Sequence, residues 1–549
     1  MCTLLAAGPQ ATAQRLPSAG ALTVPTPPPA PAPAPGIRIE PRNGPAAPVA
    51  PADQTRIPVK VLHVSGATLF PEAELLALTG FTPGSALSLA DLQAMAARVT
   101  AHYRNRGYFV AQAYLPAQDI QDQEVTIAVS EGRLGKVDVR NQTNVSDRVV
   151  RTQLDGLEAG DVIANRPFES GLLLLSDVPG VNVISTLVPG TTPGTSDLVV
   201  ELTPSRRLSG SIDADNGGNR YTGEYRLGAT LDISEPLGLG DVASLRVLTS
   251  GSGLNYARAS YQLQVGHGQA GIAYSHLRYQ LGREFASLEA HGTADIASVY
   301  GRYPVLRTRD NNLYLQLELD AKSFRDEVDT IPARIDRKSH VLLASVYGDH
   351  RDDFFGGGMD SYSATLASGV LDIQTPAARA VDDVTAHSNG HFNKLSFQAM
   401  RLQRLGGGPF SVYAAASGQL ASKNLDVSEK MQLGGMNGVR AYPEGEAYGD
   451  EGYLLTLEGR MDITALPPAI PGAIQLVAFV DAGGITINKN PWAPIDNHRR
   501  LSAAGVGINW AQAGNFLVRT SYARKLGDAP ALSAPDKSGR FWVQLVKYF

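Results

Sequence analysis

The sequence predicts a membrane β-barrel of about sixteen antiparallel strands preceded by two small α+β modules, on three observations. After about Ser205 the chain runs in segments of roughly ten residues that alternate apolar and polar side chains, separated by Gly, Asn and Asp turns. No stretch of about 18 apolar residues occurs, so a chain that spans a membrane must do so as a closed barrel rather than as helices. Between Pro58 and Pro204 the sequence repeats itself at a shift of 76 residues.

Length and composition bound the reading. At 549 residues the chain exceeds one compact core. Its 48 Lys and Arg against 53 Asp and Glu give a net charge of −5, with no dense basic run to neutralise a phosphate track, which argues against a nucleic-acid partner. Cys2 is the single cysteine, so no intramolecular disulfide forms.

Residues 1–13 read as the tail of a signal peptide whose start lies further upstream. Leu4 to Gly8 resembles the end of an apolar core, and Ala11-Thr12-Ala13 has the small-x-small form of a cleavage site. Residues 14–56 read as a disordered linker, because eleven prolines fall between Pro25 and Pro51 and favour extended, solvated polyproline II.

The repeat defines modules over 57–132 and 133–204. Val61 lies over Val137, Leu69 over Val145, Gly80 over Gly156 and Gly84 over Gly160. Each copy reads as strand, short helix, Gly-marked break, longer helix and two strands. In the first copy the longer helix starts after the N-cap Ser88. It puts Leu92, Met95, Ala96, Val99 and Tyr103 on one face, and stops at Gly107. Strands follow at Phe109–Leu115 and Glu124–Val129, and in the second copy at Val181–Leu187 and Asp197–Leu202. Such modules leave sheet edges that can take up an extended peptide.

The barrel is expected over 205–549. Leu313, Leu315, Leu317 and Leu319 alternate with Tyr314, Gln316, Glu318 and Asp320, and Ala257 to Val265 alternate in the same way. One face suits lipid and the other an aqueous lumen. Tyrosine, 20 against 3 Trp, often falls near strand ends, where an interfacial girdle would want it. The chain ends in Phe541, Val543, Leu545 and Phe549 on one face, which resembles the C-terminal signal read by the bacterial barrel-assembly machinery. That machinery is therefore an expected partner during biogenesis, with outer-membrane lipid around a monomer.

Two motifs then stand out. The stretch Leu433 to Tyr442 carries Gly434, Gly435, Val439, Arg440 and Tyr442 ahead of an acidic run, and Phe479 to Gly483 reads "FVDAG". Together they resemble the hairpin-loop and barrel-wall motifs of the two-partner secretion transporters, members of the wider superfamily of barrel-assembly and protein-translocating outer-membrane proteins. The repeats likewise look like that family's polypeptide-transport-associated modules, and the resemblance covers nearly all of the chain after Thr55. It implies an outer-membrane pore, with its modules in the periplasm, that secretes and in some cases activates a cognate exoprotein of adhesin, cytolysin or toxin type. It also implies an inward loop at about 423–450 whose Arg440 pairs with Asp481. Periodicity agrees on the wall side: Ile474, Leu476, Ala478 and Val480 form a lipid-type face, which leaves Phe479 and Asp481 in the lumen.

The chain departs from the family at two places. Ala441 stands where glycine usually follows the arginine. The segment "RLPSAGALTVPTPPP" leaves no room for the amphipathic plug helix of many members, so a plug is expected to be absent or very short.

No nucleotide loop, cofactor motif or nucleophile–base arrangement is apparent, and no catalytic role or cofactor is expected. His387 and His391 lie four apart across Gly390 in an expected loop and read as no metal site. Glu444, Glu446, Asp450 and Glu451 read as a solvated acidic loop without calcium-site spacing. Rival readings are a barrel-assembly insertase, a passive porin, and a soluble β-sandwich with two adapters.

Overall fold

The structure is a computed structural model that describes residues 17–22, 40–41 and 55–549 apart from 332, 465 and 495. The expected signal segment, 1–13, lies outside the described residues.

A two-residue strand, β1 (Glu40–Pro41), precedes the first module. That module runs β2 (Arg56–Val59), β3 (Val61–Ser65), α1 (Glu72–Thr79), β4 (Ser85–Ser88), α2 (Leu89–Asn105), β5 (Gln112–Tyr114) and β6 (Glu124–Ser130). Helix α2 opens with a reciprocal cap: the Asp91 amide donates to Ser88 Oγ at 3.2 Å, and the Ser88 amide to the Asp91 carboxylate at 2.9 Å. Its Leu92, Met95, Ala96, Val99 and Tyr103 are buried against the sheet β3-β6-β5. The strand expected over Phe109–Leu115 forms only over Gln112–Tyr114. Phe109 and Val110 turn instead into the neighbouring module, where Phe109 meets Phe168 edge-on at 6.5 Å. Packing between modules takes the residues that alternation alone assigns to a strand.

The second module runs β7 (Arg133–Asn141), α3 (Asp147–Gln153), α4 (Asn165–Ser176), β8 (Val181–Pro189) and β9 (Thr195–Pro204). Its sheet order is β1-β8-β9-β7, with Glu40 opposite Thr186 and Pro41 opposite Leu187 in a parallel pair. A piece of the Pro-rich segment thus occupies the edge of this sheet.

The rest is a closed antiparallel barrel. Its first half contains β10 (Leu208–Asp215), β11 (Arg226–Ser234), β12 (Val242–Thr249), β13 (Leu254–Val265), β14 (Gly268–Gln280), β15 (Ala290–Arg307), β16 (Asn311–Val328) and β17 (Ala333–Asp352). It continues with β18 (Gly358–Ile373), a loop helix α5 (Pro376–Asp383), β19 (Gly390–Arg404), β20 (Phe410–Ala421) and a short ladder of β21 (Met431–Gln432) and β22 (Tyr448–Gly449). The last strands are β23 (Glu451–Asp462), β24 (Ala473–Thr486), β25 (His498–Gln512), β26 (Phe516–Lys525) and β27 (Gly539–Tyr548). Apart from the ladder these sixteen strands pair in sequence order, and Ser211–Asp215 close the ring against Gln544–Tyr548. A ring of this size leaves a water-filled lumen unless something fills it.

Alternation sorts the wall as expected. Leu315, Leu317 and Leu319 are about half exposed on the outer face, while Asp320 and Lys322 turn inward and pair at 3.6 Å. Strands β15, β16 and β17 run to 18, 18 and 20 residues, longer than a spanning strand needs. Their surplus rises beyond the bilayer, where the outer face becomes charged: Arg325 pairs with Asp336 at 3.0 Å and Arg334 with Asp336 at 2.7 Å. Phe541, Leu545 and Phe549 are exposed on the outer face of the last strand and its end. Gly356 to Gly358 and Gly406 to Gly408 fall at adjacent hairpin turns.

The second module meets the barrel at the short turns of one end. Arg307 and Asp177 pair at 2.7 Å, and Gln153 Nε2 donates to the Gly266 carbonyl at 2.8 Å. Glu235, in the turn between β11 and β12, is buried against Gly180 of the module, and neither carboxylate oxygen closes a hydrogen bond. Desolvation, and then the charge of Asp241, push its pKa up to about 7, against the pull of the Gly240 and Asp241 amides.

The expectation that 14–56 is wholly disordered fails at Ala19–Leu22, which form a single 3-10 turn inside the barrel, with Ala19, Gly20 and Leu22 buried. The Ala19 amide donates to Asp326 Oδ1 at 2.8 Å, and Gly20 lies against Ser428, where a Cβ would come within 2.8 Å. Small apolar residues fit this narrow place, and the turn ends before the prolines begin. The rest of 14–56, except 17–18, Glu40, Pro41 and 55–56, lies outside the described residues.

Candidate functional site: the inward loop and its lock

Residues 422–450 leave the top of β20, fold down into the lumen and return to β23. The ladder of β21 and β22 stiffens the stem. Beyond it the tip is a compact turn: the Val439 amide donates to the Leu433 carbonyl at 2.9 Å, and that of Tyr442 to the Val439 carbonyl at 3.0 Å. Glycines are needed where the chain folds on itself. Gly435 has φ +104°, and a Cβ on Gly434 would sit 2.6 Å from Glu446 Cβ. Ala441 is fully buried and is not among the residues with positive φ, so the tip accommodates it without left-handed strain.

The tip presents Arg440 to the wall. Its Nε and Nη2 donate to the two oxygens of Asp481 on β24 at 2.8 and 2.7 Å, and its own amide adds a third bond to Asp481 at 3.2 Å. The remaining Nη1 donates to Glu458 on β23 at 2.8 Å. Glu458 and Phe479 lie opposite each other in the β23–β24 register, and Thr456 lies opposite Asp481. Thr456 Oγ1 donates to Asp481 at 3.1 Å, and Arg460 Nη2 to Glu458 at 2.6 Å. The guanidinium lies over the Phe479 ring, 3.3 Å from its centroid, and Trp542 Nε1 of the last strand donates to the Arg440 carbonyl at 2.7 Å. The planar fork of arginine suits this bidentate, stacked arrangement, and lysine could not reproduce it.

Glycine makes the approach possible. On β24, a Cβ at Gly483 would collide with Leu433 of the tip and lie 2.8 Å from the Tyr453 carbonyl. Tyr442 is fully buried, donates from its hydroxyl to the Ala529 carbonyl at 3.0 Å and lies 4.8 Å from Lys525 Nζ. Arg440, Asp481, Phe479, Gly483, Val439 and Tyr442 therefore share one site. Phe541, Val543, Leu545 and Phe549 do not; they line the seam of the last strand.

The acidic run is not the solvated loop that its composition suggests. Glu446 is paired with Arg499 and accepts from the Leu532 amide at 2.9 Å, and Asp450 pairs with Lys430 at 2.8 Å. Glu451 is bound by Lys489 at 2.5 Å. Glu444 accepts from Gln432 Nε2 at 2.5 Å, and burial pushes its pKa up. Glu444, Glu446 and Asp450 face protein because the loop points inward, which no local pattern announces, whereas Glu451 opens β23 and its pair stays partly exposed. Glu458 is equally hidden in the sequence, being one of many lumen-facing acids. His391 lies in β19 rather than in a loop, and His387 precedes that strand. His350, Asp352 and Asp360 approach one another on the barrel wall, with Arg401 bonded to Asp352 at 2.9 Å and Asp360 at 2.7 Å.

Residues 194–510 match the family described as haemolysin secretion/activation protein ShlB/FhaC/HecB, and residues 57–132 match the ShlB-type POTRA domain. The chain belongs to this family. It is an outer-membrane transporter of the two-partner secretion type, with its POTRA domain on the periplasmic side. The heme/hemopexin transporter protein HuxB of Haemophilus influenzae (strain 86-028NP) is 29% identical over 473 residues, covering 85% of this chain and 82% of its own. The outer membrane transporter CdiB of Dickeya dadantii (strain 3937) is 26% identical over 508 residues, or 87% and 84% of the two chains. Among solved structures, CdiB from Escherichia coli shares the fold with a TM-score of 0.70 over 93% of this chain and 94% of that one, at 22% identity.

Proposed function

We propose that the transporter moves an unfolded exoprotein through the lumen once the inward loop withdraws, and that Arg440, held by Asp481 and Glu458, keeps the loop in its closed, transport-ready position. The observation that carries this is the loop itself: residues 422–450 cross a sixteen-stranded ring and are bound to its wall by a buried bidentate pair. No nucleotide is at hand outside the inner membrane, so folding of the cargo beyond the pore supplies direction.

Cargo enters by strand addition to the POTRA modules. The parallel pairing of Glu40–Pro41 with Thr186 and Leu187 supports this, since it places backbone from another part of the chain on the β8 edge. Main-chain bonds give affinity there with little side-chain selectivity. The HuxB relative transports heme/hemopexin by its name; for this chain the cargo is an exoprotein of adhesin, cytolysin or toxin type. Outer-membrane lipid surrounds a monomeric barrel, and the C-terminal face of Phe541, Val543, Leu545 and Phe549 serves the barrel-assembly machinery during biogenesis.

The test compares wild type, in planar bilayers, with a variant in which a short Asn-Gly turn replaces residues 422–450. Small fluctuating currents should become large and steady. Identical small currents from both would mean that the loop does not occlude the pore.

A further inference from the structure

The arginine lock engages only the tip of the loop. Its stem carries a second group of charges that the lock does not touch, on a different arc of the wall. Asp426 and Glu429 sit in and beside a 3-10 turn, Val427–Glu429, just after the loop leaves β20. Asp426 Oδ2 pairs with Arg337 of β17 at 2.6 Å, and Arg337 also pairs with Asp326 of β16. Glu429 lies between two lysines, Lys322 of β16 at 2.8 Å and Lys394 of β19 at 2.7 Å, with its carboxylate almost wholly buried. Gln419 Nε2 donates to the carbonyls of Glu429 and Asp450 at 3.0 Å each, which ties the two legs of the stem together.

We propose that Asp426 and Glu429 are positioning residues that form a second fastening of the loop, anchoring its stem to β16, β17 and β19 while the tip is held separately by β23 and β24. This rests on the reading of the loop as the occluding element. The physical basis is that none of the charged side chains in one cluster belongs to the other. Releasing Arg440 removes the tip's pairs with Asp481 and Glu458 but leaves the stem bound, so that once the Glu446–Arg499 pair also yields, opening becomes a swing of the tip about an anchored root. The stem is stiff enough to act as that root: Asp450 Oδ1 accepts from the Leu425 amide at 3.0 Å, and Asp450 Oδ2 from the Lys489 amide at 2.8 Å. Both fastenings are buried ion pairs, in which loss of one partner is costly because the other stays charged and desolvated. Glu429→Lys would put three cations together, whereas adding Lys394→Glu restores one acid between two cations. The turn at Ala19–Leu22 closes the same region, because Asp326, which accepts from the Ala19 amide, also binds Arg337.

The test uses full-length protein in planar bilayers, with heat-modifiable gel mobility confirming that each barrel is folded. Glu429→Lys should raise the fraction of time in the open state by about tenfold or more, and Glu429→Lys with Lys394→Glu should return it to within about twofold of wild type. Lys322→Glu, which leaves the loop's own sequence intact, is measured in parallel and should also raise it. Unchanged currents in Glu429→Lys and Lys322→Glu would overturn the proposal, as would a charge-swapped protein as leaky as the single variant. If Glu429→Lys fails to fold, the wall-side variant decides by the same criterion. The loop-replacement variant separates the two readings: large steady currents there, with no effect of the stem charges, reject the second fastening alone. No increase on loop replacement rejects the occlusion reading itself.

Discussion

Replacing Asp481 with alanine perturbs the tip lock at its centre, and the structure allows the effect to be sized. The carboxylate is fully buried and accepts four hydrogen bonds: two from the Arg440 side chain at 2.8 and 2.7 Å, one from the Arg440 amide at 3.2 Å and one from Thr456 at 3.1 Å. Removing one partner of a buried pair costs about 3–5 kcal/mol. Glu458 remains within reach of the same guanidinium at 2.8 Å, so the lower end applies, and about 3 kcal/mol is expected. That is about a hundredfold in the closed-to-open ratio of the loop. A loop open about one part in a thousand would then be open about a tenth of the time, a change that single-channel recording resolves easily. Asp481→Asn should fall between, since it keeps one acceptor and the shape but loses the charge. Cargo secretion in a cell expressing both partners should fall as well, because a loop that drifts from its seat no longer holds the transport-ready position. Wild-type open probability in Asp481→Ala, in a barrel shown to be folded, would falsify the assignment of Arg440 and Asp481 as the holding pair.

Other consequences follow from the same geometry. Trp542→Phe removes the bond to the Arg440 carbonyl and should weaken the seat of the tip by about 1 kcal/mol, seen as a modest rise in open probability without loss of barrel stability. Gly483→Val should be far more severe, since even a Cβ there meets the Tyr453 carbonyl at 2.8 Å and collides with Leu433; large currents with normal gel mobility are expected. Glu235 makes the contact between second module and barrel pH-dependent. Its folded pKa of about 7 lies above the ordinary 4.5, so its contribution is full below about pH 4.5 and is lost as pH rises through 7, by up to about 3 kcal/mol. Distances between spin labels on module and barrel should broaden from pH 5 to pH 8 in wild type and not in Glu235→Gln; broadening in both would assign the effect elsewhere. Proline at Thr186, on the β8 edge, should reduce binding of unfolded cargo to the full-length protein in detergent by about tenfold while leaving conductance alone, and undiminished binding would remove that edge from the entry route.

Much of this protein is legible in its sequence alone. Period-two alternation places Leu315, Leu317 and Leu319 on the lipid face and Gln316, Glu318 and Asp320 on the lumen face, because in a barrel each side chain points to one of only two sides. Helix α2 is readable from Ser88, five spaced apolar residues and Gly107, all of them local signals. The tip motif points to the pairing of Arg440 with Asp481 through family resemblance, and periodicity alone supplies only the inward direction of Asp481. What tertiary structure decides is which distant groups meet, above all along the loop's route through the lumen. Glu446, Asp450 and Glu451 look solvated in sequence, yet they meet Arg499, Lys430 and Lys489. Glu429 finds lysines on β16 and β19, and Ala19 finds Asp326, about three hundred residues further along the chain. Phe109 leaves its expected strand for Phe168. The physical reason is common to the charged cases. Strand periodicity records which solvent a side chain faces, but a charge on an inward loop has no period, and its partner is chosen by where ring closure brings distant strands together.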